Sequence, residues 1–336
     1  MQSDWKKFLA EQTTGITAHG AECSGTLLCD LGQFGTLRVS GAEAQTFLQN
    51  LLSNDIREVS ATQAQFSSFN TAKGRMLATL LIWRDGDDYL LQLPDTLTEA
   101  MRKKLSMYVL RAKVKITDAS EEVISLGLSG DHAQEILLKL CGTLPESPLG
   151  VSRIENQAGS IIKYSDTRFQ LNTTPLQAVT LFQTLAGQAQ RVGNACWDWL
   201  NIRAGLAVIL PQTQEQFVPQ MANLDLIGGI NFKKGCYPGQ EIVARMHYLG
   251  KLKRRMYLAH IASATAPQPG DELFSADMAE TGQPQPCGMI ANAAPAPNGG
   301  YDVLTVIQIA SHDTHSVHLH SLQGAPLQFM PLPYSL

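Results

Sequence analysis

The chain has 336 residues, 44% of them hydrophobic and 17% charged, with a net charge of −4 and six cysteines. That length exceeds one small core and implies two or three domains, and no apolar run approaches the ~20 residues of a membrane span. No signal-peptide apolar stretch opens the sequence, so a cytoplasmic protein is expected.

"MQSDWKKFLAEQ" (1–12) reads as an exposed amphipathic helix. "GTLRVSG" (35–41) is strand-like and closes on Ser40-Gly41-Ala42-Glu43, the spacing of a capping box, ahead of a helix with Phe47, Leu48, Leu51 and Leu52 on one face. "FSSFNTAKGRMLATLLIWRDGDDYLLQLP" (66–94) divides at Lys73-Gly74 and Asp85-Gly86 into a three-stranded antiparallel meander. Thr96-Leu97-Thr98-Glu99 is a second capping-box spacing, opening a helix that carries Leu97, Met101, Leu105 and Tyr108.

"EVISLGLSG" (122–130) is a strand, followed by a helix in "DHAQEILLKLCG" that stops at Gly142. Thr174-Pro175 starts another helix with proline at its first position, and "ACWDWLNIRAG" (195–205) a further one ending at Gly205. Locally pairing strands with helices between them imply an α+β fold. There is neither a G-x-G-x-x-G nor a P-loop. Beyond about residue 250, short β-like runs separated by proline- and glycine-rich turns predict a small β-barrel or sandwich without helices.

Charge is uneven. Residues 233–255 hold seven Lys/Arg against one acid, Glu241, and 256–336 hold no Lys or Arg and six acids. Attraction to an anionic partner should therefore be local to 233–255. None of the six cysteines forms C-x-x-C, and Cys29, Cys141 and Cys196 read as small buried residues bearing free thiols. His312, His315, His318 and His320 crowd the end; His318 and His320 would share one strand face, read as solvated, and no metal site is expected. Trp197 and Trp199, two apart on one helix, face different directions. Cys236 differs from the other cysteines. In "NFKKGCYPGQEIVAR" (231–245), Lys233, Lys234 and the start of the next helix favour a thiolate, and Gly235 and Gly239 let the backbone bend. A shaped turn with a packing thiol is the equal alternative.

"KKGCYPGQEIVAR" closely resembles the K-G-C-Y-x-G-Q-E signature of the YgfZ family, a folate-binding branch related to the glycine-cleavage T-protein, an aminomethyltransferase. "QFVPQMANLDLIGGINFKKGCYPGQE", the turn "NTAKGRM" and the ending "PLPYSL" extend the resemblance to nearly the whole chain. It implies three domains in a ring: an α+β region over 1–250 made of two interleaved subdomains, and a C-terminal β-barrel over 251–336. It also implies tetrahydrofolate binding, monomeric state, and support of iron–sulfur proteins, some of which modify tRNA. By the same resemblance Cys236 is the reactive or docking residue, set among Lys234, Gly235, Tyr237, Gly239, Gln240, Glu241 and Arg245. Gln240 and Glu241 would bond backbone N–H groups of the next helix, and Arg245 would pair with Glu241. Phe34 and Trp197 map to the folate pocket.

Two departures from the family pattern bear on activity. T-proteins place a carboxylate shortly after the glycine of the "KGRM" turn, where this chain has Leu77, Ala78 and Thr79, so the glycine-cleavage reaction is not expected. Relatives commonly carry glutamate where this chain has Arg203, a side chain that only donates hydrogen bonds. Two other readings stay open: a folate-dependent one-carbon transferase acting on protein or tRNA, and an RNA-interaction module using 233–255.

Overall fold

A computed structural model describes residues 4–11, 23–154, 159–248, 250–278 and 285–336. Met1–Ser3 and Gln12 of the expected first helix lie outside the described residues. The chain has an α+β fold and divides into two compact units: 1–48, 56–65 and 81–197 form the first, and 49–55, 66–80 and 198–336 the second. Each unit is thus assembled from three separated stretches.

In the first unit a six-stranded sheet runs in the order Gln190–Val192, Leu27–Asp30, Ile124–Ser129, Arg168–Thr173, Gly159–Ser165, Val151–Arg153. Its pairings are antiparallel except Leu27–Asp30 with Gln190–Val192, which is parallel. Helices Ala133–Cys141 and Pro175–Ala186 bury Ile136, Leu137, Leu181 and Leu185 in the core formed with Leu126, Leu128, Phe169 and Leu171. Gly142, at φ +73°, ends the first of these helices as expected, and Pro175 opens the second.

Helix Asp4–Glu11 is not the exposed helix expected. Trp5 and Phe8, three apart and so on one face, pack on Phe182 with ring centroids 5.4 and 5.9 Å away.

The meander is Gln65–Asn70, Met76–Asp85 and Asp88–Pro94, with left-handed Gly74 and Gly86 in its turns. In the first unit its last strand pairs with Phe34–Ser40, and that strand with Lys115–Asp118. Neither capping box forms. Glu43 accepts the Lys113 backbone N–H (2.7 Å) and Ser40 stays in its strand, so the helix spans only Ala44–Gln49. Helix Asp95–Ser106 starts two residues early, with Pro94 rather than Thr96 at its N-cap; there Thr98 donates to the Pro94 carbonyl (3.2 Å) and Glu99 pairs with Arg102 and Lys103.

The free-thiol reading of Cys196 is corrected: it forms a disulfide with Cys23, Cα to Cα 5.8 Å. The parallel pairing next to Cys23 brings helix Asn194–Arg203 alongside, although the two cysteines lie 173 residues apart in sequence. Cys29 and Cys141 are buried and not disulfide-bonded, as expected.

The second unit carries the other six-stranded sheet: Val317–Leu319, Glu272–Ser275, Pro286–Pro295, Tyr301–Gln308, Arg254–Ile261, Leu327–Met330. Its neighbouring strands all pair antiparallel. Period-two alternation buries Arg254–Ile261 on both faces, Met256 and Leu258 in one core, Tyr257, Ala259 and Ile261 in another. Among the described residues the edge strands come together at one isolated bridge, His318 to Pro326, which is short of a closed ladder. Helix Ile309–Thr314 interrupts the region expected to be free of helices. His320 falls outside the strand Val317–Leu319 with φ +64° and pairs with Asp271 (3.0 Å), so it shares no strand face with His318.

Among the described residues no helix is long and apolar enough to cross a membrane.

Candidate functional site

In the second unit two glycine turns close on each other, and both come from the motifs singled out in the sequence. The first, Thr71–Arg75, is tied by Thr71 N–H to the Arg75 carbonyl (2.8 Å) and Gly74 N–H to that of Thr71 (2.9 Å). The second precedes helix Gln240–Tyr248, whose first turn forms when the Tyr237 carbonyl accepts the Gln240 N–H (3.1 Å). Gly239 sits at φ +80°, and a Cβ there would lie 2.4 Å from the Gly74 N and Cα atoms. Only glycine satisfies both the dihedral and the approach. Gly74, at φ +69°, faces the Gly239 carbonyl and Ile242 in turn.

Between these turns the loop alternates. Lys234 is 5% exposed and its ammonium donates to the carbonyls of Leu52 (2.5 Å) and Asn54 (2.9 Å), 5.1 Å from the Tyr237 ring. Tyr237 is also buried, and burial pushes its phenol pKa up. Cys236, between them, is an exposed free thiol. Lys234 is therefore a buried clamp on backbone carbonyls, a structural role that the sequence reading did not separate from its charge.

Gly235 departs from its expected part in the bend. Its φ is not positive, and a Cβ would meet nothing within 4 Å. The space it leaves open adjoins Cys236. Gln240 reverses the expected polarity, donating its amide N–H to the Lys234 carbonyl (3.3 Å). Glu241 and Arg245 are exposed and form no ion pair with each other among the described residues, correcting that expectation.

Asn70, first residue of "NTAKGRM", is fully buried, and neither its amide nitrogen nor its oxygen has a partner among the described residues. Leu77 and Ala78 are buried, and Thr79 accepts the Ile209 N–H (3.1 Å).

In the first unit, Phe34 is half-buried at the start of its strand, opposite Pro94. On the same sheet face stands Gln92, opposite Thr36 and Leu81. The hairpin register set by Thr71 and Arg75 places Gln65 across from Leu81, on that face too. Gln65 and Gln92 are buried, and both polar atoms of Gln65 and the amide nitrogen of Gln92 have no partner among the described residues. Sequence reasoning missed these glutamines; their inward positions in the two-residue alternation were the available signal.

Trp197 is 2% exposed. The Arg168 guanidinium lies 3.9 Å over its ring, Tyr164 meets it edge-on at 5.8 Å, and a Cβ on Gly127 would lie 2.4 Å from ring carbon Cζ3. A ligand ring stacked on the face that Arg168 covers would have to displace it. Phe34 and Trp197 make no ring contact among the described residues. In the second unit Trp199 donates to Asp302 (2.8 Å), and Arg203 reaches the same carboxylate at 3.6 Å and the sulfur of Met330 at 3.1 Å.

An α+β protein whose lysine-anchored thiol loop closes on an A-K-G-R-M turn belongs to the aminomethyltransferase-like family: the GCVT N-terminal domain matches residues 12–228. Within that family the chain is 30% identical, over 312 residues, to the tRNA-modifying protein YgfZ of Escherichia fergusonii, covering 92% of this chain and 93% of that protein. It is 30% identical over 314 residues to the protein of the same name from Shigella sonnei, with the same coverage. The crystal structure of glycine cleavage system aminomethyltransferase T from Bartonella henselae superposes with a TM-score of 0.74, over 92% of this chain and 86% of that one. At 18% identity that likeness is one of fold.

Proposed function

We propose that this chain is a tetrahydrofolate-binding accessory protein of the YgfZ branch, supporting assembly or repair of iron–sulfur proteins, tRNA-modifying enzymes among them, rather than a glycine-cleavage aminomethyltransferase. The observation that carries the reading is the built presentation of one thiol. Lys234 and Tyr237 are sunk into the unit, Gly239 locks onto Gly74, and Cys236 is left exposed beside the unobstructed Gly235. A nucleophile, a docking thiol or a soft ligand for a client's cluster needs that accessibility, whereas a packing thiol does not. The relatives named for tRNA modification support the client class.

The residues fit a folate. A pterin has an apolar face and a hydrogen-bonding edge; Phe34 supplies a ring, and Gln65 and Gln92 supply amide groups whose burial without partners costs about 1–3 kcal/mol each unless a bound group satisfies them. Phe34, Gln65 and Gln92 would hold the pterin, and Trp197 would shape the wall without stacking on it directly. Bound folate would supply one-carbon chemistry. The apolar run Leu77–Ala78 lacks a carboxylate to position an aminomethyl amine, which supports the accessory role.

Calorimetric titration with tetrahydrofolate should give saturable heat, reduced about tenfold or more in affinity by Gln92→Leu. Absence of saturable heat sinks the folate half of the proposal. Complementation of a deletion strain by Cys236→Ser, read through iron–sulfur enzyme activities, tests the thiol half, and full rescue would refute it.

A further inference from the structure

The second unit holds a cleft of about 530 Å³ that the cysteine loop and the folate reading leave unused. It lies along the far end of helix Gln240–Tyr248, with walls from Arg254–Ile261 and Ile309–Thr314. That volume falls in the range of small-molecule sites, roughly 300–1,000 Å³.

Four features of its walls specify a ligand. Two parallel ring pairs border it, Phe232 with His247 and Tyr257 with His312, each with centroids 3.8 Å apart and 11° between planes. His247 is exposed and lines the cleft, so that stack can accept a third planar ring. Gln220 lines the cleft at 3% exposure. Its amide nitrogen is used on the Val243 carbonyl (2.6 Å), while its oxygen has no partner among the described residues and can accept one N–H. Asp225 is held by Arg255, whose Nη1 lies 3.0 and 3.1 Å from its two oxygens, leaving further acceptor capacity fixed in place.

Outside the cleft, charge is of the opposite sign. Of the seven cations in 233–255, Lys234 is spent on carbonyls and Arg255 on Asp225. Lys251 and Lys253, flanking the cleft residue Leu252, are exposed and form no ion pair among the described residues.

Acceptors and an open ring stack inside, with cations at the rim, suit a molecule that is planar and amine-bearing at one end and anionic at the other. A simple anion would meet Asp225 and Asp313 in the walls, and an uncharged aromatic amine would leave the lysines without use. We propose that this cleft binds a nucleotide whose base carries an exocyclic amine, stacked on His247 and read by Gln220 and Asp225, with its phosphate on Lys251 and Lys253. The same chemistry is offered by a free mononucleotide and by an unpaired nucleotide of an RNA.

The test is equilibrium binding of the full chain to AMP, GMP, CMP and UMP and to a single-stranded ten-residue ribo-oligonucleotide. Saturable binding of the amine-bearing mononucleotides, with UMP about tenfold weaker, assigns the site to a free nucleotide. Binding of the oligonucleotide alone, with affinity falling with salt by a slope of about −0.7 per phosphate neutralised, assigns it to RNA. In either case His247→Ala, at an exposed position, should weaken binding about tenfold, in line with base–aromatic stacking. The pair Lys251→Ala/Lys253→Ala should flatten the salt slope by about 1.4 for the oligonucleotide. Gln220→Leu probes the amide, and the two surface variants keep the test decisive if that protein fails to fold. No saturable binding to any of these probes, UMP bound as tightly as AMP, or affinity unmoved by His247→Ala overturns the assignment. Saturating tetrahydrofolate should leave nucleotide binding unchanged, so this outcome and that of the folate titration are separable.

Discussion

Cys236 and Gly235 share an exposed stretch of a loop whose neighbours on both sides are buried, and this separates the residues that build the loop from those that use it. Lys234 builds it: Lys234→Met removes two charge-assisted hydrogen bonds and leaves the Leu52 and Asn54 carbonyls unpaired. A loss of about 2–4 kcal/mol in denaturant unfolding is expected. Gly235→Ala, by contrast, meets nothing within 4 Å and should leave stability within about 0.5 kcal/mol of the parent. It should nevertheless impair complementation, because a methyl group then stands beside the thiol; full rescue would mean that nothing approaches Cys236 closely. Asp30 gives a pH signature elsewhere. Burial pushes its carboxyl pKa up to about 6, against a Trp5 indole N–H at 3.2 Å that lowers it. Because the folded pKa exceeds the unfolded one, this contribution is fully present below about pH 4 and is lost as pH rises through about 6, about 3 kcal/mol in all. Asp30→Asn should stabilise the protein at pH 7.5 and remove that slope from unfolding curves recorded between pH 4 and 7. An unchanged slope would place the titration elsewhere.

At the scale of elements, the contact between the two glycine turns is what the motif spacing encodes. Gly239→Ala forces a left-handed φ on alanine and drives its Cβ into the Gly74 backbone. A loss of at least about 1–3 kcal/mol is expected, together with loss of complementation, the opposite pattern from Gly235→Ala. Equal stability of the two alanine variants would contradict the packed-turn account. Elements closed by backbone necessity were legible in the sequence: the turns at Gly74 and Gly86, the helix stop at Gly142, the helix start at Pro175. Elements inferred from side-chain capping were not: Glu43 found the Lys113 N–H, 70 residues away and hidden from local spacing, and Glu99 turned to Arg102, one helical turn on, a local competitor that the capping reading passed over. Helix Ile309–Thr314 was hidden because six residues are too few to show a helical period within β-like surroundings. Of the candidate site, the thiol and Gly239 could be read directly. The inward turn of Lys234 and the buried Gln65, Gln92 and Asn70 could not, because burial of a polar residue is decided by tertiary packing.

Across the whole molecule, each compact unit is assembled from stretches far apart in sequence, so loop closure adds to the cost of folding. The Cys23–Cys196 bridge acts on that cost directly. It joins residues 173 apart and spans most of the first unit, restricting the unfolded chain over nearly all of that unit's length. Closure of so long a loop corresponds to roughly 5 kcal/mol in the chain-entropy estimate, and removal of native disulfides typically costs about 2–5 kcal/mol. With about 2–4 °C of melting temperature per kcal/mol for a unit of this size, reduction should lower the first unit's transition by roughly 5–15 °C. The bridge holds Cys196, directly before the packed Trp197, so loosening should be felt first in that tryptophan's environment. Scanning calorimetry with and without a phosphine reductant, paired with near-ultraviolet circular dichroism, measures both effects. Cys196→Ser supplies the control: it should melt like the reduced parent and be indifferent to reductant. A parent protein whose transition does not move on reduction would show that the two sulfurs are not joined in solution. A shift that persists in Cys196→Ser would assign the effect to another of the cysteines.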